Sequence, residues 1–267
     1  MNQFLPSLAL FLASVSACCA EAPQPVKLPT FPAGEGQGQN AVYHAKNFDA
    51  TLGSDPVLLI QPKSGNQAVG KPFQIEFFCG YMEDLRTIPR KLVSLSKVPK
   101  PAMQPKKIEL GGQFEDRVKF EVEYVLSEEG IAVRGSLKEP SGIERRSNLS
   151  YFARFSQTHA IPQNTPEEEV KRLTEGYELK LNYASGEVRS VRFWETLTSE
   201  PNLLSAAVSG PWGQRKLLME TSAAKRGQLG IGRLWSYVGG PLYKGNWVFG
   251  CGTSDGQPGR TLMIRVQ

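Results

Sequence analysis

Val118-Lys119-Phe120-Glu121-Val122-Glu123-Tyr124 places an apolar side chain at every second position and a charged one at each position between. Successive side chains of a strand point to opposite faces, so this segment makes one dry face and one wet face, as in an antiparallel sheet lying on a core. Working outward, Ser127-Glu128-Glu129-Gly130 turns the chain into Ile131-Ala132-Val133-Arg134-Gly135-Ser136-Leu137, and Pro140-Ser141-Gly142 turns it again toward Leu149-Ser150-Tyr151-Phe152-Ala153-Arg154-Phe155. Three strands joined by short turns form a β-meander. Upstream, Pro56-Val57-Leu58-Leu59-Ile60 is a short apolar run and Phe73-Gln74-Ile75-Glu76-Phe77 alternates with period two.

One helix is signalled. Thr165-Pro166-Glu167-Glu168 supplies an N-cap, a proline at the first helical position and a capping-box glutamate, with Glu167 to Glu169 on the positive end of the dipole. Gly176 stops it. Tyr177 to Tyr183 and Val188 to Trp194 then form a hairpin, and Thr261 to Val266 reads as a closing strand. Leu203 to Val208 and Lys216 to Glu220 fit short helix and strand equally. The expected fold is mainly β, antiparallel and β-sandwich-like, with one short connecting helix near residues 166–175. The helix is expected to join two β units, 56–160 and 161–267; the alternative is that the second continues the sandwich of the first.

The first twenty residues carry a different message. An apolar run from Phe4 to Val15 is too short for a spanning helix, which needs about 20 apolar residues, and the small residues Ser16 to Ala20 follow it. Residues 1–20 therefore read as a secretory signal peptide, although Met1-Asn2-Gln3 brings no Lys or Arg, and the expected location is extracytoplasmic: periplasmic, anchored to an outer membrane, or secreted. Val15-Ser16-Ala17-Cys18 resembles the lipobox of bacterial lipoproteins, in which Cys18 would be acylated; the alternative cut falls before Glu21. Residues 21–55, with Pro23, Pro25, Pro29, Pro32 and a Gly/Gln run, read as a tether with nothing to bury.

The globular part holds Cys79 and Cys251, each between aromatic and glycine neighbours. In an exported chain a disulfide between them is the expectation; it would close a loop of about 170 residues and nominally add about 5 kcal/mol. Two separate buried thiols are the alternative. The 267 residues carry 31 Lys and Arg against 26 Asp and Glu, a net charge of +5. That is mild, compatible with an anionic envelope polymer and too weak to indicate nucleic acid.

Tests for chemistry fail one by one. Gly252-Thr253-Ser254-Asp255-Gly256 has the spacing of a nucleophile elbow but is followed by Pro258-Gly259 and a strand, with both histidines, His44 and His159, upstream. Gly65 to Lys71 resembles a phosphate loop, yet Pro72 replaces the hydroxyl that would hold magnesium. Neither histidine has further metal ligands at suitable spacing. Glu121 and Glu123 share a wet face, the one arrangement reminiscent of the carboxylate pair that sugar hydrolysis requires. No catalytic residue, metal or cofactor is expected.

Two stretches suit binding. Arg90, Lys91, Lys97, Lys100, Lys106 and Lys107 cluster around Pro99, Pro101 and Pro105 in a basic segment fit for an anionic polymer or lipid head groups. Trp235, Tyr237, Tyr243 and Trp247 offer flat rings among glycines, fit for stacking on sugars or peptides. The sequence thus reads as an exported, lipid-anchored or secreted, non-catalytic envelope module for a protein partner or polysaccharide, the runner-up being a β-sandwich polysaccharide hydrolase or lyase. A lipidated Cys18 would add membrane attachment.

Overall fold

The computed structural model describes residues 41–53, 56–84, 86–155, 166–192, 202–221, 230–233, 247–257 and 259–267. In chain order, the first strands are β1 (Ala41–His44), β2 (Phe48–Leu52), β3 (Leu58–Ser64), β4 (Gln67–Ala68), β5 (Phe73–Glu83) and β6 (Arg86–Pro89). Next come β7 (Leu92–Lys97), β8 (Ala102–Met103), β9 (Lys107–Phe114), β10 (Lys119–Ser127), β11 (Gly130–Lys138) and β12 (Ser147–Arg154). Helix α1 (Glu167–Leu173) is followed by β13 (Glu178–Tyr183), β14 (Val188–Arg192), β15 (Leu203–Gly210) and β16 (Gly213–Thr221). The last strands are β17 (Gly230–Arg233), β18 (Trp247–Thr253) and β19 (Thr261–Val266).

These form two sheets. Sheet 1 runs β17-β18-β12-β5-β3-β2-β1-β8, with β4 paired to β3 and β6 to β5; sheet 2 runs β14-β13-β15-β16-β19-β11-β10-β9-β7. Pairing is antiparallel apart from the short parallel contact of β1 with β8. All of the opening heptapeptide but Val118 lies in β10, where Phe120, Val122, Tyr124 and Leu126 are buried while Lys119 and Glu121 are exposed. The odd-numbered residues of β5 meet them from sheet 1: the Phe77 and Phe120 rings lie 5.2 Å apart. Phe73, Phe155 and Trp212 close the far end of the core at 5.5–6.0 Å centroid spacing. The Trp212 indole donates to the Lys71 carbonyl at 2.8 Å, so a polar atom enters the core with its partner supplied. Strands from both sides of α1 contribute to both sheets, and the buried side chains form one continuous core.

Residues 41–52, assigned to the tether, form β1 and β2. Their period of two sends Ala41, Tyr43, Phe48, Ala50 and Leu52 inward, a pattern too short to outweigh the Gly/Pro-rich stretch before it. The two undecided stretches are the antiparallel pair β15 and β16. In α1, Pro166 is the capping residue with extended ψ of 145° rather than the first helical residue, and the helix ends at Leu173, just before Gly176 at φ +77°.

The disulfide does not form: Cys79 and Cys251 are both free and buried. β12 lies between their strands, with Leu149 opposite Cys79 and Tyr151 opposite Cys251. Two inter-strand steps of about 4.8 Å and a two-residue offset of about 7 Å separate them. That exceeds the reach of about 7 Å between bridged Cα atoms. Their likeness of setting comes from flanking one strand on opposite sides, not from facing each other.

Candidate functional site

Ile75, Phe77 and Cys79 of β5 enter the core, which turns Gln74, Glu76 and Phe78 to the outward face of sheet 1. An outward glutamate is normally wet, yet Glu76 is only 6% exposed. It lies in register with Phe152 of β12, and Arg154, one outward position along, holds its carboxylate at 3.0 Å. Burial pushes the Glu76 carboxyl above the usual carboxylate range, and the Arg154 guanidinium offsets only part of this. Arg154 lies 5.9 Å from the Phe152 ring centroid, and its Nε is buried with no hydrogen-bond partner among the described residues.

Glycine shapes the surroundings. Phe152 stands opposite Gly250 of β18, where a Cβ would come within 2.6 Å of the Phe152 Cβ. Phe78 folds over Gly80, where a Cβ would lie 2.7 Å from two ring carbons, and the Asn148 amide oxygen lies 2.6 Å from the Cβ position of Gly252. Side chains at these glycines would push the rings and the amide off the sheet. The outward face thus carries a low platform of two separate half-buried rings, Phe78 folded along β5 over Gly80 and Phe152 diagonal to it on β12, with Glu76, Ser150, Asn148 and Arg154 at the neighbouring outward positions. Rings of this kind stack on flat ligands, and the polar border supplies hydrogen bonds at their edge. No second carboxylate is paired with Glu76 among the described residues; its ionic partner is a cation.

The outward face of sheet 2 carries a different surface. A shallow depression of about 230 Å³ is lined by Lys97, Glu109, Glu121, Glu123, Arg134 and Ser136. Lys97 pairs with Glu121 at 2.7 Å, Lys107 bridges Glu109 and Glu123, and Arg134 pairs with Glu123. Glu121 and Glu123, the suggested carboxylate pair, are therefore each occupied by cations. Three cations balance three carboxylates, which leaves little field to attract a polyanion.

A third polar cluster closes one rim of the sandwich. Arg90 donates from Nε to the Ser147 hydroxyl and from Nη2 to the Arg145 carbonyl, both at 2.7 Å, pairs through Nη1 with Asp116, and stacks 4.7 Å from the centroid of Tyr81. Ser147 in turn donates its backbone N–H to the buried Glu139.

No protein-family model and no curated protein matches the chain. Among solved structures it is similar to a galactose mutarotase-like protein from Lactobacillus casei ATCC 334, at 10% identity and a TM-score of 0.45, covering 85% of this chain and 99% of that one. It is also similar to a candidate aldose 1-epimerase from Escherichia coli K12, at 8% identity and a TM-score of 0.44, covering 85% of this chain and 98% of that one.

The basic segment is divided by the structure. Arg90, expected on the surface, is 4% exposed because the rim needs a donor for three acceptors. Lys97 and Lys107 are tied into the lattice of sheet 2, while Lys91, Lys100 and Lys106 are exposed with no ion-pair partner among the described residues. The aromatic stretch is not brought into view: Trp235, Tyr237 and Tyr243 lie outside the described residues, and Trp247 is placed only by its backbone in β18. Residues 1–40, including Cys18 and the signal peptide, and His159 also lie outside them. The serine-glycine motif runs from the end of β18 into the turn before β19, and the phosphate-loop resemblance falls on the β3–β4 hairpin turn. Glu76, Phe78, Phe152 and Arg154 were missed. The available signal was two aromatic residues and a charge pair at outward positions of strands already read.

Proposed function

We propose that this protein is a non-catalytic binding module of the cell envelope that holds a polysaccharide chain on the outward face of sheet 1. The observation that carries the reading is the pair of outward rings Phe78 and Phe152 beside an Arg154 Nε–H that is buried and has no hydrogen-bond partner among the described residues. A buried donor without an acceptor is costly, and a sugar hydroxyl laid across Phe152 would satisfy it once the Arg154 guanidinium turns outward. Export through residues 1–20, with Cys18 acylated as the anchor, belongs to the same reading; the short apolar run ending in small residues supports it. The module would then work outside the cytoplasm.

Binding of the purified chain to neutral and uronic polysaccharides, measured by calorimetry, tests the surface. Replacing Phe78 and Phe152 together by Ala should weaken binding by about tenfold, at roughly 0.5–1.5 kcal/mol per stacked ring. Raising salt should change the affinity of a neutral polymer little. Unchanged binding in the double variant would remove the platform from consideration. Release of reducing ends or unsaturated products would replace the binding module with a hydrolase or lyase. Mass spectrometry of the envelope-derived chain checks the anchor: an unmodified N-terminus at Glu21 would refute lipidation.

A further inference from the structure

β7 ends sheet 2 and β8 ends sheet 1, and only residues 98–101 connect them. From Lys97 to Ala102 a link that short reaches about 18 Å at most, so the two end strands share one edge of the sandwich and the segment straps it. Sheet edges are commonly blunted by bulges, prolines and charges. The strap has those devices: register shifts along β7, and Pro99, Pro101 and Pro105. It also has something that edge protection does not call for. Val93 is 61% exposed, Val98 44% and Met103 69%, three of the eight large apolar side chains exposed among the described residues. Lys100 and Lys106, exposed and with no ion-pair partner among the described residues, are interleaved with Val98 and Met103, while Lys91, equally exposed, lies beside Glu115 at the other end of β7.

The strap is held in place rather than hanging loose. Gln104 donates its backbone N–H to the Val42 carbonyl at 2.7 Å, and its side chain accepts from the His44 N–H and donates to the His44 carbonyl. Met103 is thereby displayed from a fixed element beside β1.

From this juxtaposition of unpaired cations and exposed apolar side chains we infer that the strap docks the protein onto an anionic lipid bilayer. Lys100 and Lys106 would meet phosphodiester head groups, and Val98 and Met103 would enter the boundary with the acyl chains. A soluble polyanion would use the lysines and leave the apolar side chains in water. An added strand would be broken by the bulges and prolines. The site stands on a different surface from the polysaccharide platform and does not depend on it.

The full chain with Cys18 and Cys19 replaced by Ser and Met103 by Cys can carry an environment-sensitive fluorophore at position 103, since Cys79 and Cys251 are buried. Vesicles of phosphatidylcholine with about a quarter phosphatidylglycerol should shift its emission to the blue, and pure phosphatidylcholine should do so far less. Replacing Lys100 and Lys106 by Gln should weaken vesicle partitioning by about 30-fold. The label reports the strap itself, whatever the N-terminal apolar run does. No shift with phosphatidylglycerol, an equal shift with phosphatidylcholine alone, or an unchanged response in the Gln variant would overturn the proposal. Dextran sulfate producing as large a shift as the vesicles would also overturn it, in favour of an anionic polymer.

Discussion

Replacing Arg90 by Met keeps an unbranched apolar stem of similar reach and removes only the guanidinium. The side chain is 1% exposed, so each bond it makes lies in a dry environment. The variant leaves the Ser147 hydroxyl and the Arg145 carbonyl short of a donor, and each bond from a charged donor contributes about 1.5–3 kcal/mol. Asp116 adds little, because its carboxylate is 65% exposed and rehydrates. Glu139 adds more: its side chain is 2% exposed, and it shares Ser147 with Arg90. Relief from desolvating the guanidinium works in the opposite direction. The expected net loss is about 3 kcal/mol, with an unchanged urea m-value and a melting temperature lower by about 6–12 °C. Arg146, whose side chain is 76% exposed, is the control, and its change to Met should stay within about 0.5 kcal/mol. A loss for Arg90→Met no larger than that of the control would refute the clamp and restore Arg90 to the surface.

Two further predictions concern titration and thiols. Because the Glu76 carboxyl is raised by burial, the folded state binds its proton more tightly than the unfolded chain, and Glu76 costs stability as pH rises through its ordinary value, about 4.5, toward its folded one. The substitution Glu76→Gln should therefore gain stability relative to the parent between about pH 4 and pH 8 in chemical denaturation; a flat difference would show that the carboxyl is not desolvated. With Cys18 and Cys19 replaced by Ser, a thiol reagent at mild alkaline pH should find no reactive group in the folded protein and two after unfolding, since burial pushes Cys79 up to about 12 and Cys251 up to about 11. No thiol released in denaturant without a reductant would mean that they pair after all.

What was legible followed from local pattern. Alternation from Val118 to Tyr124 identified β10, the turn residues after Ser127 identified β11, and Leu149 to Phe155 identified β12, all three close to their observed bounds. What was not legible depends on partners far away in sequence. Gln74, Glu76 and Phe78 read as the wet side of a strand, and nothing nearby tells that Arg154 and Phe152 will close over Glu76. Arg90 reads as one more cation in a proline-spaced basic run until Arg145 and Ser147 arrive at the rim. The cysteines share a local setting, but their separation is fixed by β12, a strand that belongs to neither.

The position of β19 has a consequence for how the protein comes into being. Residues 261–266 lie inside sheet 2, with β16 on one side and β11 on the other. Ile131 cannot meet Ile264 until nearly the whole sequence has been synthesised, so β11 waits with an open edge while the chain lengthens. In a molecule assembled in that order sheet 2 stays in two halves until β19 slots between β16 and β11. The open edges are a template for aggregation during that interval, and a frameshift near residue 260 would leave two half-sheets with sticky edges rather than a slightly shortened protein.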